Sequence, residues 1–431
     1  MKKRAQALLQ WTGLGVAVGV ACGVASALFL ILLERATRLR ESHEFIVYTL
    51  PIAGAVIGLV YERWGTSIKG GNNLVLDTIH ENSPQIPLRM APMVLLGTVL
   101  THLFGGSAGR EGTAVQMGAS LADEIAHRLG VTSDTRRRLL AAGIAGGFGS
   151  VFGTPIAGTI FGMEVVSIGR IEYDAFFPAL VASIVGDMVT RGLGVAHTPY
   201  PRIGQVALTA PVVGKLFVMA VAMALAAVAF VELTHRLKRF LERHIRRLPV
   251  RMFLGAIAVV AMWKLIGTSD YLGLGVPTIV RSFVDPRLPW YAFAAKLVFT
   301  SVTLASGFLG GEVTPLFFVG ATLGNVVARG LGLPIDLGAG IGLAAVFGAA
   351  ANTPVALSIM AVELLGGATL PHVMIVAAIA YILTGHRGIY PAQRIHVRKH
   401  GGFLRAPMAL RDYRDSEASP SETGDSKTGG P

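Results

Sequence analysis

Charge is scarce in this chain. Asp, Glu, Lys and Arg supply 15% of its 431 residues, against about 25% in soluble domains. With 52% hydrophobic residues and a mean hydropathy of +0.58, the deficit excludes an ordinary globular domain and points to a bilayer. Cysteine is nearly absent. The single Cys22 excludes an intrachain disulfide, and a lone thiol in an apolar run acts as a small hydrophobe. The signatures His-Glu-x-x-His, Gly-x-Ser-x-Gly and Walker A are missing. The 11 histidines are scattered without ligand spacing. An enzyme, a metal centre and a cofactor are therefore not expected.

What is present is apolar sequence. Runs recur at 12–33, 46–61, 88–104, 212–233, 252–268 and 290–309, and a membrane span needs about 20 such residues. The stretches 139–166 and 338–365 are interrupted by glycine and proline. They read as broken or re-entrant helices, tolerated at membrane depth only inside protein or beside water. The apolar run after Lys2-Lys3-Arg4 continues to Leu33, too long for a cleaved signal, so an uncleaved first helix is expected. The net charge of +12 collects at 2–4, 136–138, 235–251 and 387–405. These clusters read as cytoplasmic loops obeying the positive-inside rule, with no nucleic-acid partner. Arg35, Arg38 and Arg40 follow the first span, so both of its ends are basic.

A glutamate sits twice in the same glycine-rich frame. Gly109-Arg110-Glu111-Gly112-Thr113 closes with Gly118-Ala119-Ser120-Leu121, and Gly310-Gly311-Glu312-Val313-Thr314 closes with Gly320-Ala321-Thr322-Leu323. Further on, Phe148-Gly149, Thr154-Pro155 and Glu164 match Phe347-Gly348, Thr353-Pro354 and Glu363 at a constant offset of 199. Such duplication predicts a transporter of two structural repeats with its site at their interface. The expected organisation is an N-terminal segment with the first membrane helix (1–45), repeat one (46–190), a connecting span and basic linker (191–251), repeat two (252–395) and a polar tail (396–431), largely disordered. The expected fold is an all-α polytopic membrane bundle of two inverted repeats with broken and re-entrant helices.

The first motif predicts a helix beginning near Glu111, with Ser107 or Thr113 available to cap it. Backbone donors at that start attract either an external anion or the chain's own carboxylate. That competition is a chemical gate: an ionised Glu111 occupies the anion position, and a displaced one takes up a proton and swings away. The simpler alternative is a glutamate that only stabilises its own helix start. An intramembrane carboxylate is costly and so is a functional candidate, and burial favours the neutral form that a proton carrier needs.

These motifs, GREGT-x-x-Q-x-G from Gly109 and GGEVTPLFFVGATLG from Gly310, resemble the CLC superfamily of anion channels and proton-coupled antiporters. The resemblance spans about 45–395. Chloride members follow the first glutamate with Gly-Pro, where this chain has Gly112-Thr113. They carry phenylalanine where Glu312-Val313-Thr314 stand before Pro315. They have Gly-Ser-Gly-Ile-Pro where this chain reads Gly70-Gly71-Asn72-Asn73-Leu74. These departures are similar to the fluoride-exporting branch.

The resemblance implies a fluoride/proton antiporter in the cell (inner) membrane, assembled as a homodimer with a pathway in each subunit. Its partners would be fluoride and protons. Glu111 would be the external gate and proton carrier. Asn72 or Asn73, with Asn72 favoured, and the Tyr390 hydroxyl would bind the anion beside Gly109, Gly112 and Thr113. An amide supplies N–H donors for a small, hard anion. Gln116 could add another amide. The glutamate pair that chloride/proton antiporters carry late in the first repeat is Glu164-Val165 here, so Glu312 becomes the candidate for the internal proton route, with Thr314. Glu164 and Glu363 are expected to be structural, bonded between helices. A chloride or nitrate antiporter and a passive channel are the rivals within the superfamily.

Overall fold

The computed structural model describes residues 2–81 and 84–418, and most of it is helical. The first half runs through α1 (Lys2–Ser42), α2 (Leu50–Trp64), α3 (Asn72–Glu81), α4 (Met90–Leu103), α5 (Glu111–Arg128), α6 (Ser133–Phe152), α7 (Pro155–Glu164) and α8 (Phe176–Gly192). The second runs through α9 (Ala210–His244), α10 (Leu248–Ile266), α11 (Val276–Arg281), α12 (Ala292–Ala305), α13 (Val313–Leu331), α14 (Ile335–Ala351), α15 (Pro354–Leu365) and α16 (Leu370–Leu383). Five stretches, within α1, α2, α8, α9 and α10 and short turns preceding two of them, are long and apolar enough to cross a membrane. The expected breaks are present. One interrupts the chain between α6 and α7, the other between α14 and α15.

Each break has a local cause. Pro155 and Pro354 open their helices at a position where no backbone donor is needed. The preceding helices end in left-handed backbone, at Gly153 (φ 72) and at its counterpart Asn352 (φ 60). Asparagine tolerates that conformation better than most residues. Here its side-chain amide also donates to Gln393 Oε1 at 2.9 Å.

The halves repeat each other in packing as well as in order. α1 lies against α8, α6 and α5, and α9 lies against α16, α14 and α13. The sequence-based limits left α1 and α9 outside the two repeats; the packing groups α1 with the first half and α9 with the second. Apolar length marks a span but does not say which helices it touches. Small residues let the inner helices approach. A Cβ added at Gly143 would stand 2.5 Å from the Gly118 carbonyl oxygen, and Gly320 and Gly342 make the counterpart approach.

Two glutamates reveal the inversion. Glu164, at the end of α7, accepts from the Val355 and Ala356 amides at 3.1 and 2.7 Å, at the start of α15. Glu363, near the end of α15, accepts from the Ile156 and Ala157 amides at 3.0 and 2.7 Å, at the start of α7. Each helix start carries unpaired N–H groups and partial positive charge. Because each end meets the other's start, α7 and α15 run antiparallel and the repeats are inverted. Both glutamates have the interhelical role read from the sequence.

The chain departs from the all-α expectation in a small sheet. β1 (Ser167–Ile168) pairs in parallel with β2 (Arg394–Val397), which pairs antiparallel with β3 (Phe403–Ala409), leading into α17 (Leu410–Ala418). The tail expected to be largely disordered from 396 is thus ordered to Ala418, and 419–431 lie outside the described residues. Its order comes from Ile395, Leu410 and Tyr413, which bury against Ile168, and from arginines that reach carboxylates on the membrane body.

Candidate functional site

The two glycine-rich loops meet. Gly109 N–H donates to the Gly311 carbonyl at 2.6 Å, and Gly311 N–H returns the bond to Gly109 at 2.8 Å, one antiparallel bridge between the halves. Glycine is required there, since a Cβ on Gly109 would stand 2.9 Å from both Gly311 O and Pro315 Cδ. The bridge brings the starts of α5 and α13 together, so the donors of two helix starts converge.

Glu111, the first residue of α5, is fully buried. Its carboxylate turns back into this cradle. Oε2 accepts from the Arg110 amide at 3.1 Å and from the Thr314 amide at 3.1 Å. Oε1 accepts from the Thr314 hydroxyl and from Arg110 Nε at 3.4 Å. The carboxylate therefore sits where a bound anion would find donors. Neither cap candidate serves as one. The Ser107 amide and hydroxyl are engaged with Thr303 and Thr300 on α12, and the Thr113 hydroxyl meets that of Thr98 at 2.6 Å. The donor of Arg110 goes to Glu111 itself.

Cavities approach from two sides. One, of about 600 Å³, is lined by the end of α1 from Leu30 to Glu41, by Arg110 and by residues 194–198 and 269–278. The other, of about 500 Å³, is lined by Asn72, Asn73, Thr113, Gln116, Glu312 and Tyr390, with Lys238, Arg246 and Arg251 at its rim. The first adjoins the end of α1 and the second the end of α9. As α1 and α9 are counterparts in inverted repeats, the cavities open on opposite faces, with the Glu111 cradle between them. The basic cavity is walled by residues of the 235–251 cluster. The sequence showed that cluster as a loop only; its role as a cavity wall follows from how α9 and α10 fold over the site.

Six of the residues singled out from the sequence share the wall of the basic cavity: Asn72, Asn73, Thr113, Gln116, Glu312 and Tyr390. Glu312 precedes α13, and its Oε2 is enclosed with no hydrogen-bond partner among the described residues. Asn72 opens α3. Its Oδ1 is likewise enclosed and unpartnered, and its Nδ2 would stand 3.2 Å from a Cβ on Gly112. Asn73 is committed elsewhere, accepting from the Ala392 amide at 3.0 Å. Of the two asparagines, Asn72 is the one with an unengaged amide. Thr314 differs from the expectation. Its hydroxyl and amide hold Glu111 and do not face an internal route, a contact invisible to sequence reasoning because its partner lies 203 residues away. Between Asn72 and Tyr390 lies a cavity of about 10 Å³, walled by Val75, Leu76, Val115, Ile144, Phe161 and Val165. That is about the space of one water molecule.

Sequence reading missed Gln393 as a support of this region. Its amide donates to the carbonyls of Val165 and Ala351 at 2.9 Å each, pinning the Tyr390 segment to the ends of α7 and α14.

Comparison with known proteins agrees with this architecture. The family model for voltage gated chloride channels matches residues 53–385. A chloride/fluoride channel protein of Pseudomonas syringae pv. tomato is 47% identical, over 95% of this chain and 92% of its own. The crystal structure of a CLC-type fluoride/proton antiporter superposes with a TM-score of 0.87 at 37% identity, covering 90% of this chain and 98% of that one. A slow cyanobacterial Cl⁻/H⁺ antiporter shares the fold, with a TM-score of 0.76 at 14% identity, over 87% and 94% of the two chains. With its paired glycine motifs, its inverted halves and these relatives, the chain belongs to the CLC family and is a membrane protein of anion transport.

Proposed function

We propose that this protein exports fluoride from the cytoplasm in exchange for protons. The observation that carries the reading is the cradle: amides at the starts of α5 and α13 hold the Glu111 carboxylate in a position suited to an anion. An ionised Glu111 closes the path. An anion arriving from the basic cavity displaces it, and the freed carboxylate takes a proton from the opposite cavity. Asn72 and Tyr390 bind the ion on the cytoplasmic side, and Gly109, Gly112 and Thr113 shape its approach. Glu312, with its unpartnered oxygen, serves the internal leg of the proton route. Thr314 latches the gate.

Selectivity for fluoride is supported by the amide of Asn72 and by the small cavity beside it, since fluoride is close to water in size and chloride is larger. Fluoride is also the anion of a weak acid whose neutral form crosses membranes and is trapped inside as the anion. An exchanger driven by inward protons reverses that accumulation. The setting is the inner membrane of a cell and the assembly a homodimer, by analogy with the family.

Sealed liposomes holding the purified protein, with external fluoride and pH recorded together, test the proposal. Fluoride efflux should be accompanied by proton uptake and should exceed chloride flux severalfold. Equal chloride flux with coupling intact favours a chloride or nitrate antiporter. A reversal potential insensitive to a proton gradient favours a passive channel.

A further inference from the structure

The pseudo-symmetry of the two halves fails at one place beside the site. In the second half, α11 has its arginine, Arg281, paired with Asp270 and Asp285 on its own flanking connections. In the first half, the counterpart α3 is tied to a distant segment, the ordered strap formed by β2, β3 and α17. Arg411 Nη1 and Nη2 reach the two carboxylate oxygens of Asp77 on α3 at 3.0 and 3.1 Å. Arg394, on β2, pairs with Glu81 at the end of α3.

The strap also grips the segment carrying Tyr390. The Arg411 amide donates to the Pro391 carbonyl at 3.0 Å, and the Leu410 amide to the Gln393 carbonyl at 2.8 Å. Next to these, the Ala392 amide donates to Asn73. Arg411 therefore touches both pieces of the inner site: α3, whose first residue is Asn72, by its side chain, and the Tyr390 segment by its backbone. Asn72 and Asp77 share one helix, about 8 Å apart at 1.5 Å per residue, so a shift at Asp77 is carried to Asn72. A bidentate arginine–carboxylate fork fixes direction as well as distance.

We propose that Arg411 is a positioning residue for anion selection, holding α3 and the Tyr390 segment in the register that presents Asn72 and Tyr390 to one small ion. The proposal rests on the assignment of Asn72 and Tyr390 as ion ligands. The pair is partly exposed, with 43% and 22% of the side chains accessible, so its loss costs little folding stability, and selection can be read apart from folding.

The test compares Asp77→Asn, Arg411→Gln and the charge-swapped pair Asp77→Arg with Arg411→Asp in fluoride-loaded liposomes. Glu124→Gln, which breaks the exposed i,i+4 pair with Arg128, serves as the control. Each single variant should raise the half-saturating fluoride concentration and lower the fluoride-to-chloride ratio by about three- to fivefold. The maximal rate should stay near wild type, the swap should recover much of the ratio, and the control should change neither. Unaltered selectivity in the single variants, or a loss of maximal rate and thermal stability alone, overturns the proposal. If a single variant fails to fold, Arg411→Lys, which keeps the charge but loses the fork, is measured in the same way and carries the same two outcomes. Asn72→Ser in the same assay separates the levels. A selectivity change there with none in the strap variants removes the strap from selection and leaves the ligand assignment standing. No change at Asn72 overturns the assignment and the strap proposal with it.

Discussion

Replacing Glu111 by glutamine should break the link between anion and proton movement, and the size of the effect follows from the cradle. Each carboxylate oxygen accepts from two donors: Oε2 from the Arg110 and Thr314 amides, Oε1 from the Thr314 hydroxyl and Arg110 Nε. A carboxamide has one accepting oxygen and one NH₂ group. With NH₂ in the Oε1 position the Thr314 hydroxyl can turn to accept from it, but Arg110 Nε still faces a donor, so even the better orientation loses one charge-assisted bond. At about 1.5–3 kcal/mol for a bond to a charged group, the closed position loses at least that much. With 1.4 kcal/mol per tenfold, the gate shifts toward open by at least roughly tenfold to a hundredfold. Glutamine also cannot titrate. Fluoride should then run down its gradient with no proton flux, at a rate that no longer follows pH. The assay is simultaneous fluoride-electrode and pH-dye recording from the same liposomes. Proton counter-transport at the wild-type rate in Glu111→Gln would refute the gating argument, because no titratable group would remain in the cradle.

Other consequences are open to the same equipment. Thr314→Val removes the hydroxyl from Oε1 while keeping the backbone donor, so it should weaken coupling by about tenfold, less than Glu111→Gln, as read from the proton-to-fluoride flux ratio. Asn72→Ser should move the fluoride-to-chloride ratio toward chloride, measured by competing flux. Neutralising Lys238 and Arg246 at the rim of the basic cavity should slow fluoride release from liposomes at low ionic strength, with the difference fading near about 1 M salt as screening removes steering. Glu164→Ala strips the acceptor from the Val355 and Ala356 amides and should lower stability by about 1–3 kcal/mol in a thermal melt. It should leave the coupling ratio unchanged.

Much of this was legible because the chain states it twice. Duplicated motifs announced the repeat, though not its limits, and Thr-Pro dipeptides marked the helix breaks. The matching glutamates Glu164 and Glu363 read as structural and bonded between helices, though the pattern did not say that each reaches the start of the other's helix. Contacts between unmatched positions were not legible. Thr314 meets Glu111 because two loops cross at Gly109 and Gly311, a geometry that no local pattern encodes. The tail from 396 looks too polar for order by composition, yet its Leu410 and Tyr413, together with Ile395 just before it, find a ready partner in Ile168. Arg387 and Arg394, in a cluster that read as a membrane-sidedness signal, close ion pairs once the halves assemble. Asn73 and Asn72, adjacent and identical in type, were separable only by their neighbours.

The bridge between Gly109 and Gly311 has a consequence for biogenesis. Its two strands are synthesised far apart in time, so a ribosome that has released only the first half has inserted a helix start whose partner does not yet exist. Until the second glycine loop arrives, no conduit is complete. Prematurely terminated chains should accordingly be electrically silent in the membrane, sparing the cell a leak while the remainder is made.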